Sequence, residues 1–262
     1  MSVPLLIAAA VLWGAAAGAV LPRAAYRLAV PHGDAGAVSG DDTLVEQAPG
    51  VREACPGGHA FAGRLRGWLG PGRCGACDGG GSYGPSALAL VSVTALLCAA
   101  LATATGPRPE LAVWLLVAPV GVLLAVVDVR VRRLPDVLTL PLAGAVPGLL
   151  GLAALVPGRA GSWTTALLGA LALGGGYFLL FLINPSGMGF GDVKLALGMG
   201  AAVGWYGWPT VLLGTFAAFV LGALYGGALV VLRRAGRGTA IAFGPFLLVG
   251  TLIGVLSGAG AA

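Results

Sequence analysis

Two aspartates have the residue type and spacing that most clearly indicate chemistry in this sequence. From Leu111 onward the chain is dense in apolar runs and contains only three acidic residues, Asp128, Asp136 and Asp192. A carboxylate within a membrane span is costly to keep and marks a functional site by default. Asp128 ends one apolar run, and Asp192 closes the glycine-rich turn 187–192 ahead of another. Two carboxylates sharing one proton can hydrolyse an amide, one activating water and one protonating the carbonyl, so we predict an aspartyl-protease pair.

Membrane-length apolar runs are the elements that must position these carboxylates. The chain has 262 residues, of which 58% are hydrophobic and 10% are charged, whereas a soluble domain carries about 25% charged residues. Runs of membrane-crossing length predict eight spans, near 3–21, 86–105, 111–128, 137–156, 163–183, 193–206, 209–232 and 241–258, the sixth being the shortest. The runs lack the polar stripe of soluble helices. We therefore predict an all-α, polytopic membrane protein with about eight transmembrane helices.

Basic residues predict how the spans are oriented. With the N-terminus outside, only Arg108 and Arg159 of the 15 Lys and Arg residues fall on the outer side. The others lie in or beside cytoplasmic segments 22–85, 129–136, 184–192 and 233–240, as the positive-inside rule requires. No basic residue precedes the first run, which favours an uncleaved span over a signal peptide. The net charge of +5 thus reflects orientation and contact with the lipid bilayer, and we predict no nucleic-acid partner.

The predicted topology returns both aspartates to one membrane face. Their separation of 64 residues accommodates one transmembrane hairpin, so both should lie near the cytoplasmic boundary and can meet if the third and sixth spans pack together. We expect Gly189 and Gly191 to allow a tight turn and close approach of substrate. Lys194 is a further candidate for positioning the loop or the substrate.

Each of these residues also has a plain structural explanation. The glycine segment alone is compatible with an interhelical turn, and Asp128 alone with a charge that snorkels to the headgroups beside Arg130. For Asp136, which follows Pro135, we favour a structural role as the helix N-cap of the fourth span. The shared face, the spacing and the otherwise carboxylate-free spans favour the catalytic pair. Alternatives are a small ion-coupled transporter using both aspartates, whose site should lie near the midplane, and a non-catalytic assembly factor.

Residues 22–85 form one long polar insertion between the first two spans. Its first half is rich in Gly, Ala and Asp and is predicted to be irregular, whereas the Cys-rich part, 52–85, contains a tight CxxC knuckle at Cys74 and Cys77. Cys55 and His59 supply two further ligands, which predicts a tetrahedral zinc site. A metal suits so short a segment because it cannot bury much core. A redox pair, or a cluster that binds nothing, are the alternatives.

Several motifs together resemble those of the type IV prepilin peptidases, which are aspartyl proteases of the GxGD type. The resemblance covers most of the chain from about residue 52 onward. Its motifs are Asp128-x6-Pro135-Asp136-x2-Thr139-x-Pro141, Gly189-Phe190-Gly191-Asp192-x-Lys194, Phe243-Gly244-Pro245-Phe246, and Arg73-Cys74-x2-Cys77 with Ser82, Tyr83 and Pro85 after it.

The resemblance implies a bacterial inner-membrane protease serving type IV pilus assembly or protein secretion. Such enzymes cut the short basic leader from prepilins and pseudopilins at the cytoplasmic face, typically after a glycine. Asp128 and Asp192 match their catalytic pair, and 86–262 becomes the transmembrane catalytic domain, following the first helix (1–21) and the insertion (22–85). Proteolysis needs no cofactor, but many members also N-methylate the new N-terminus with S-adenosylmethionine.

Two departures from the family pattern bear on methylation and leave proteolysis untouched. Cys55-Pro56-Gly57-Gly58 lacks the second cysteine of the family's first CxxC pair, for which His59 is the candidate substitute. The segment following Arg23 also lacks a close match to the family's usual N-terminal region.

Overall fold

Eight α-helices account for most of the described chain. The computed structural model describes residues 2–30, 51–61, 67–77, 81–185, 187–232 and 242–262. The helices are α1 (Val3–Leu28), α2 (Ala87–Thr105), α3 (Glu110–Val131), α4 (Asp136–Ala154), α5 (Trp163–Ile183), α6 (Phe190–Gly204), α7 (Trp208–Val231) and α8 (Gly244–Ala261). Extended pairing in these residues is limited to two isolated bridges, Ala54 with Ala60 and Arg73 with Ser82. The predicted all-α class is confirmed.

Seven of these helices have the length and hydropathy needed to cross a membrane, namely all except α6. Their outer faces carry large apolar side chains, such as Leu12 and Leu171, each about two-thirds exposed or more. Because so much exposed apolar surface is stable only against lipid, the chain is an integral, polytopic membrane protein.

The short helix α6 occupies the sixth predicted span, 193–206, but differs from a lipid-facing span in length and surroundings. It has 15 residues, most of them buried, because it packs among α4, α5 and α8. Glycines allow the close approach: a Cβ on Gly200 would lie 2.9 Å from Leu173, and one on Gly204 would lie 2.6 Å from the Thr165 carbonyl oxygen. Enclosed in this way, α6 does not need the length of a bilayer crossing.

The first helix runs to Leu28, past the predicted end of its span at residue 21. Its last turns pack against the insertion and not against lipid. The Arg27 guanidinium stacks 4.1 Å from the Trp68 ring, and its Nε donates to the Arg52 carbonyl at 3.0 Å. These contacts join α1 to the Cys-rich part of the insertion. Most of the first half of the insertion, 31–50, and the basic loop 233–240 lie outside the described residues.

Candidate active site

Asp128 lies on the last turn of α3 and is 3% exposed. The C-terminal end of a helix is an unfavourable place for an anion. Here the start of α8 compensates, because the backbone N–H of Gly244 donates to Asp128 Oδ2 at 3.0 Å. Gly244 is the first residue of α8, so this N–H has no partner within its own helix. Asp128 is therefore held inside the protein and does not snorkel to the headgroups.

Asp192 lies in the first turn of α6 and is 7% exposed. Gly189 is the N-cap of this helix, and its carbonyl accepts the Asp192 backbone N–H at 3.0 Å. A carboxylate in this position is stabilised by the helix dipole and by the unsatisfied N–H groups. Its Oδ1 has no hydrogen-bond partner among the described residues. Asp192 thus presents one free, buried carboxylate oxygen.

The two aspartates line one cavity of about 380 Å³. Their charges act on each other across it. They meet through the ends of their helices: α4 and α8 each pack against both α3 and α6, whereas direct packing between α3 and α6 is minor in the described residues. The third and sixth spans therefore do not need to pack directly together for the two aspartates to line the same cavity.

Glycines of the 187–191 turn allow it to approach its neighbours. Gly191 lies against the loop before α4, where a Cβ would stand 2.8 Å from the Leu134 Cβ. Gly187 donates its N–H to Asn184 Oδ1 at 3.2 Å, which closes the turn after α5. Gly189 and Gly191 both line the cavity. The turn thus brings Asp192 beside the loop that follows Asp128.

Asp136 does not have the structural role predicted for it. The N-cap of α4 is Pro135, and no side chain caps the helix. The carboxylate of Asp136 instead forms an ion pair with Lys194, Oδ1 to Nζ 2.7 Å, and the Lys194 ammonium lies 4.9 Å from the centre of the Phe190 ring. Both charged residues line the cavity. The pair connects the start of α4 to the first turns of α6.

Comparison with known proteins finds a family match within the chain. Residues 111–227 match the model of the Type IV leader peptidase family. This stretch belongs to that family. It contains Asp128, Asp136, the glycine turn and Asp192, and so includes both carboxylates of the cavity.

Curated relatives extend the similarity beyond the leader-peptidase segment. A prepilin leader peptidase/N-methyltransferase of Aeromonas salmonicida (strain A449) is 35% identical over 201 residues, covering 73% of this chain and 64% of that protein. The protein of the same name from Aeromonas hydrophila is 36% identical with the same coverage. The one from Pseudomonas aeruginosa is 37% identical over 140 residues, covering 52% and 46%. This chain thus spans less than two-thirds of the length of these relatives. No solved structure matches it.

Outside the leader-peptidase segment, the four predicted metal ligands come together. Their ligand atoms lie within 4.8 Å of one another. Cys55 Sγ is 3.5 Å from both His59 Nδ1 and Cys77 Sγ, and His59 Nδ1 is 3.8 Å from Cys74 Sγ. A tetrahedral zinc with sulfur ligands at 2.3 Å separates its ligands by about 3.8 Å. The donor set and its spacing therefore fit zinc.

The turn after Cys55 explains how a histidine replaces the family's missing cysteine. That cysteine would stand at Gly58, which has a φ of 78°, and Gly57 approaches so closely that a Cβ there would lie 2.8 Å from Cys77 Sγ. Burial opposes ionisation of the Cys55 thiol, but hydrogen bonds from His59 and the other two thiols outweigh it and lower the pKa of Cys55 to about 6. The cluster thus favours a thiolate, the form in which cysteine binds metals.

Two residues beside the buried aspartates were not predicted as site residues. Gly244 was noted only as part of the last-span motif, and its contact with Asp128 depends on how α8 packs. Tyr177, on α5, is 2% exposed, and its hydroxyl has no hydrogen-bond partner among the described residues although it interacts electrostatically with Asp192. A tyrosine within a glycine-rich apolar run gives no sequence signal of such a role.

Proposed function

We propose that this protein is a membrane aspartyl endopeptidase that removes the leader peptide of prepilin-like substrates at the cytoplasmic face of the bacterial inner membrane. One observation carries the proposal: Asp128 and Asp192 are both buried and both line one cavity, with Asp128 bonded to the first N–H of α8 and Asp192 in the first turn of α6. The family of residues 111–227 and the names of the relatives support the substrate class.

The chemistry follows from the two carboxylates. Close carboxylates in a site shielded from bulk water hold one proton between them. The ionised member takes a proton from water, and the protonated member donates to the oxygen of the scissile carbonyl. Asp192 Oδ1 is free to bind the water or the peptide, whereas the Gly244 N–H already occupies one oxygen of Asp128. Proteolysis in this scheme needs no metal and no cofactor.

Basic residues around the cavity support a cytoplasmic active site. Arg132, Arg133 and Lys194 all line it, and the positive-inside rule assigns such residues to the cytoplasm. The N-terminus then lies outside, and the zinc cluster of the insertion lies on the same side as the carboxylates. In this proposal the zinc is structural, because it holds together a segment with little core of its own.

N-methylation of the new N-terminus is a second candidate activity. The relatives at 35% and 36% identity are named as N-methyltransferases as well as leader peptidases. The methyl donor in that reaction would be S-adenosylmethionine. Transfer of a labelled methyl group from S-adenosylmethionine to the cleaved product, in membranes that contain the wild-type protein, tests this activity separately from proteolysis. An unlabelled product would restrict the protein to proteolysis.

The decisive test of the proposed function is cleavage of a full-length prepilin in membranes. We expect the wild type to release the leader and both Asp128→Asn and Asp192→Asn to release none. Asp136→Asn is the matched control, because it removes a carboxylate from the same cavity. Its ion pair is partly exposed, so its loss should cost about 1 kcal/mol or less, which is within about fivefold in rate. Cleavage by all four proteins would refute the proposal and would leave the ion-coupled transporter as the alternative.

A further inference from the structure

A second, larger concavity lies between α2, α3 and α8. Its volume is about 490 Å³, and Met199 and Ala202 of α6 form part of its wall. At one end it is lined by Ser86 and Pro245, and at the other by Leu101 and Val255. From Ser86 to Leu101 the α2 wall is about 22 Å long. We call this concavity the α2–α3–α8 groove.

The groove offers no free polar group to an occupant. None of the described residues that line it is charged. The hydroxyl of Ser86 bonds to the Ala89 N–H and that of Thr251 to the Leu247 carbonyl, so each is used by its own helix. The Trp114 Nε1 contacts the Tyr206 hydroxyl at 3.2 Å. The occupant must therefore be apolar along most of the thickness of the bilayer.

Small side chains on one wall suit a helix better than a thin acyl chain. Ala118, Gly121 and Ala125 lie along the α3 wall, three and four residues apart and so on one helix face. Small residues in this pattern let a second transmembrane helix approach closely. Val93 and Val249, on the flanking helices, are 47% and 43% exposed. The groove is thus open to a helix that enters from the lipid.

The groove adjoins the candidate active site. The segment 242–245 is the wall between the two: Ala242 and Phe243 line the cavity of the aspartates, and Pro245 lines the groove. Gly244, between them, donates its N–H to Asp128. Ala125 also lies on the groove wall one turn before Asp128. A chain that leaves the groove at this end therefore arrives at the two carboxylates.

We propose that the α2–α3–α8 groove holds the apolar transmembrane helix of the prepilin-like substrate, with the scissile bond at its cytoplasmic end beside Asp128 and Asp192. The proposal rests on the proposed proteolytic function and adds to it the surface that selects the substrate. A lipid acyl chain would fill the same apolar space, but it has no reason to end at a pair of carboxylates.

Bulky substitutions in the groove provide the first test. Ala118→Phe and Ala125→Phe fill the wall, and Ala112→Phe makes the same change on an exposed part of α3 outside the groove. Each variant is assayed with a full-length prepilin in liposomes and with a soluble peptide that ends before the apolar helix. We expect the ratio of kcat/KM for prepilin to that for peptide to fall at least about tenfold in the groove variants. Ala112→Phe should keep the wild-type ratio.

Photo-crosslinking gives a second readout that leaves the groove open. p-Benzoylphenylalanine replaces Val93 or Val249, or, as the control, Leu88, which is 75% exposed and points about 140° away from Val93 around α2. An Asp192→Asn background keeps the prepilin uncut. We expect the first two positions to crosslink to the apolar segment of the prepilin and position 88 not to.

The outcomes separate the two proposals. Suppose that the wild type cuts both substrates but the groove variants keep the wild-type ratio of kcat/KM for prepilin to that for peptide. The groove then does not hold the substrate, and the proteolytic function stands. The same conclusion follows if positions 93 and 249 crosslink only to lipid. If the wild type cuts neither substrate, the proposed function fails and the groove proposal fails with it.

Discussion

The backbone N–H of Gly244 donates to the carboxylate of Asp128 across 116 residues of sequence, at 3.0 Å. The contact joins the start of the last helix to the end of α3. Asp128 lies at the C-terminal end of its own helix, α3, which is unfavourable for a negative charge. The contact places this charge at the N-terminus of α8, which is favourable for it. Asp192 has the corresponding position at the start of α6. Both carboxylates thus lie next to the N-terminal end of a helix, which favours a negative charge.

A methyl group at Gly244 should disrupt this contact. A Cβ there would lie 2.6 Å from Asp128 Oδ2, so either the carboxylate or the start of α8 must move. A displacement of about 1 Å at a reacting group can cost about a hundredfold in rate, and we expect Gly244→Ala to lose about that much prepilin cleavage. The matched control is Gly227→Ala on α7, where nothing lies within 4 Å of the new Cβ. Equal activity of the two variants would contradict the role assigned to Gly244.

Tyr177 should contribute through its hydroxyl and not through its ring. The ring packs against Phe219 and Phe243, with centroids 5.8 and 5.9 Å away, and Tyr177→Phe preserves this packing. The hydroxyl is buried, interacts electrostatically with Asp192 and has no hydrogen-bond partner in the described part of the chain. We expect it to form a hydrogen bond in the substrate complex, so its removal should lower kcat by about five- to tenfold, the worth of one hydrogen bond, with little change in melting temperature.

Tyr225→Phe is the control for this change. Tyr225 is 50% exposed and packs on Phe246, away from the cavity lining. A kcat of Tyr177→Phe indistinguishable from that of Tyr225→Phe would show that the Tyr177 hydroxyl takes no part in the reaction.

The Cys-rich part of the insertion should contain one zinc ion per chain. Elemental analysis of the purified protein should find this zinc in the wild type and in Cys98→Ser, because Cys98 is buried in the core cluster and is not one of the four ligands. Cys74→Ser and His59→Ala should each lose most of the metal and unfold at lower temperature, since a structural zinc contributes directly to folding. Full zinc content in Cys74→Ser would exclude the proposed ligand set.

Much of the fold follows from hydropathy. The predicted spans correspond to the eight helices, and the topology returns Asp128 and Asp192 to one face. The extent of α1 could not be predicted in this way, because its last turns pack on Trp68 and Arg52, far along the sequence. The shortness of α6 could not be predicted from hydropathy either, because it depends on α6 being surrounded by α4, α5 and α8 and not by lipid.

The candidate site also has some features that could be predicted from the sequence and others that depend on tertiary packing. The clustering of Cys55, His59, Cys74 and Cys77 and the shared cavity of the two aspartates were predictable because these residue types and spacings are unusual in so apolar a chain. Asp136 was assigned the wrong role, since a local rule for helix N-caps does not include Lys194, a partner on a different helix. The contact of Gly244 with Asp128, and the burial of Tyr177 beside Asp192, depend on tertiary packing that no local pattern records.

The most direct test of the central claim is a double-mutant cycle on the two carboxylates. Prepilin cleavage is measured for the wild type, Asp128→Asn, Asp192→Asn and the double variant in the same membranes. The effects of mutating groups that act as one unit are strongly non-additive. If the two aspartates act as one pair, each single variant should lose nearly all activity. The double variant should then be no slower than either single variant. Substantial activity in one single variant, or a double variant slower by the product of the two single effects, would show that Asp128 and Asp192 do not act together.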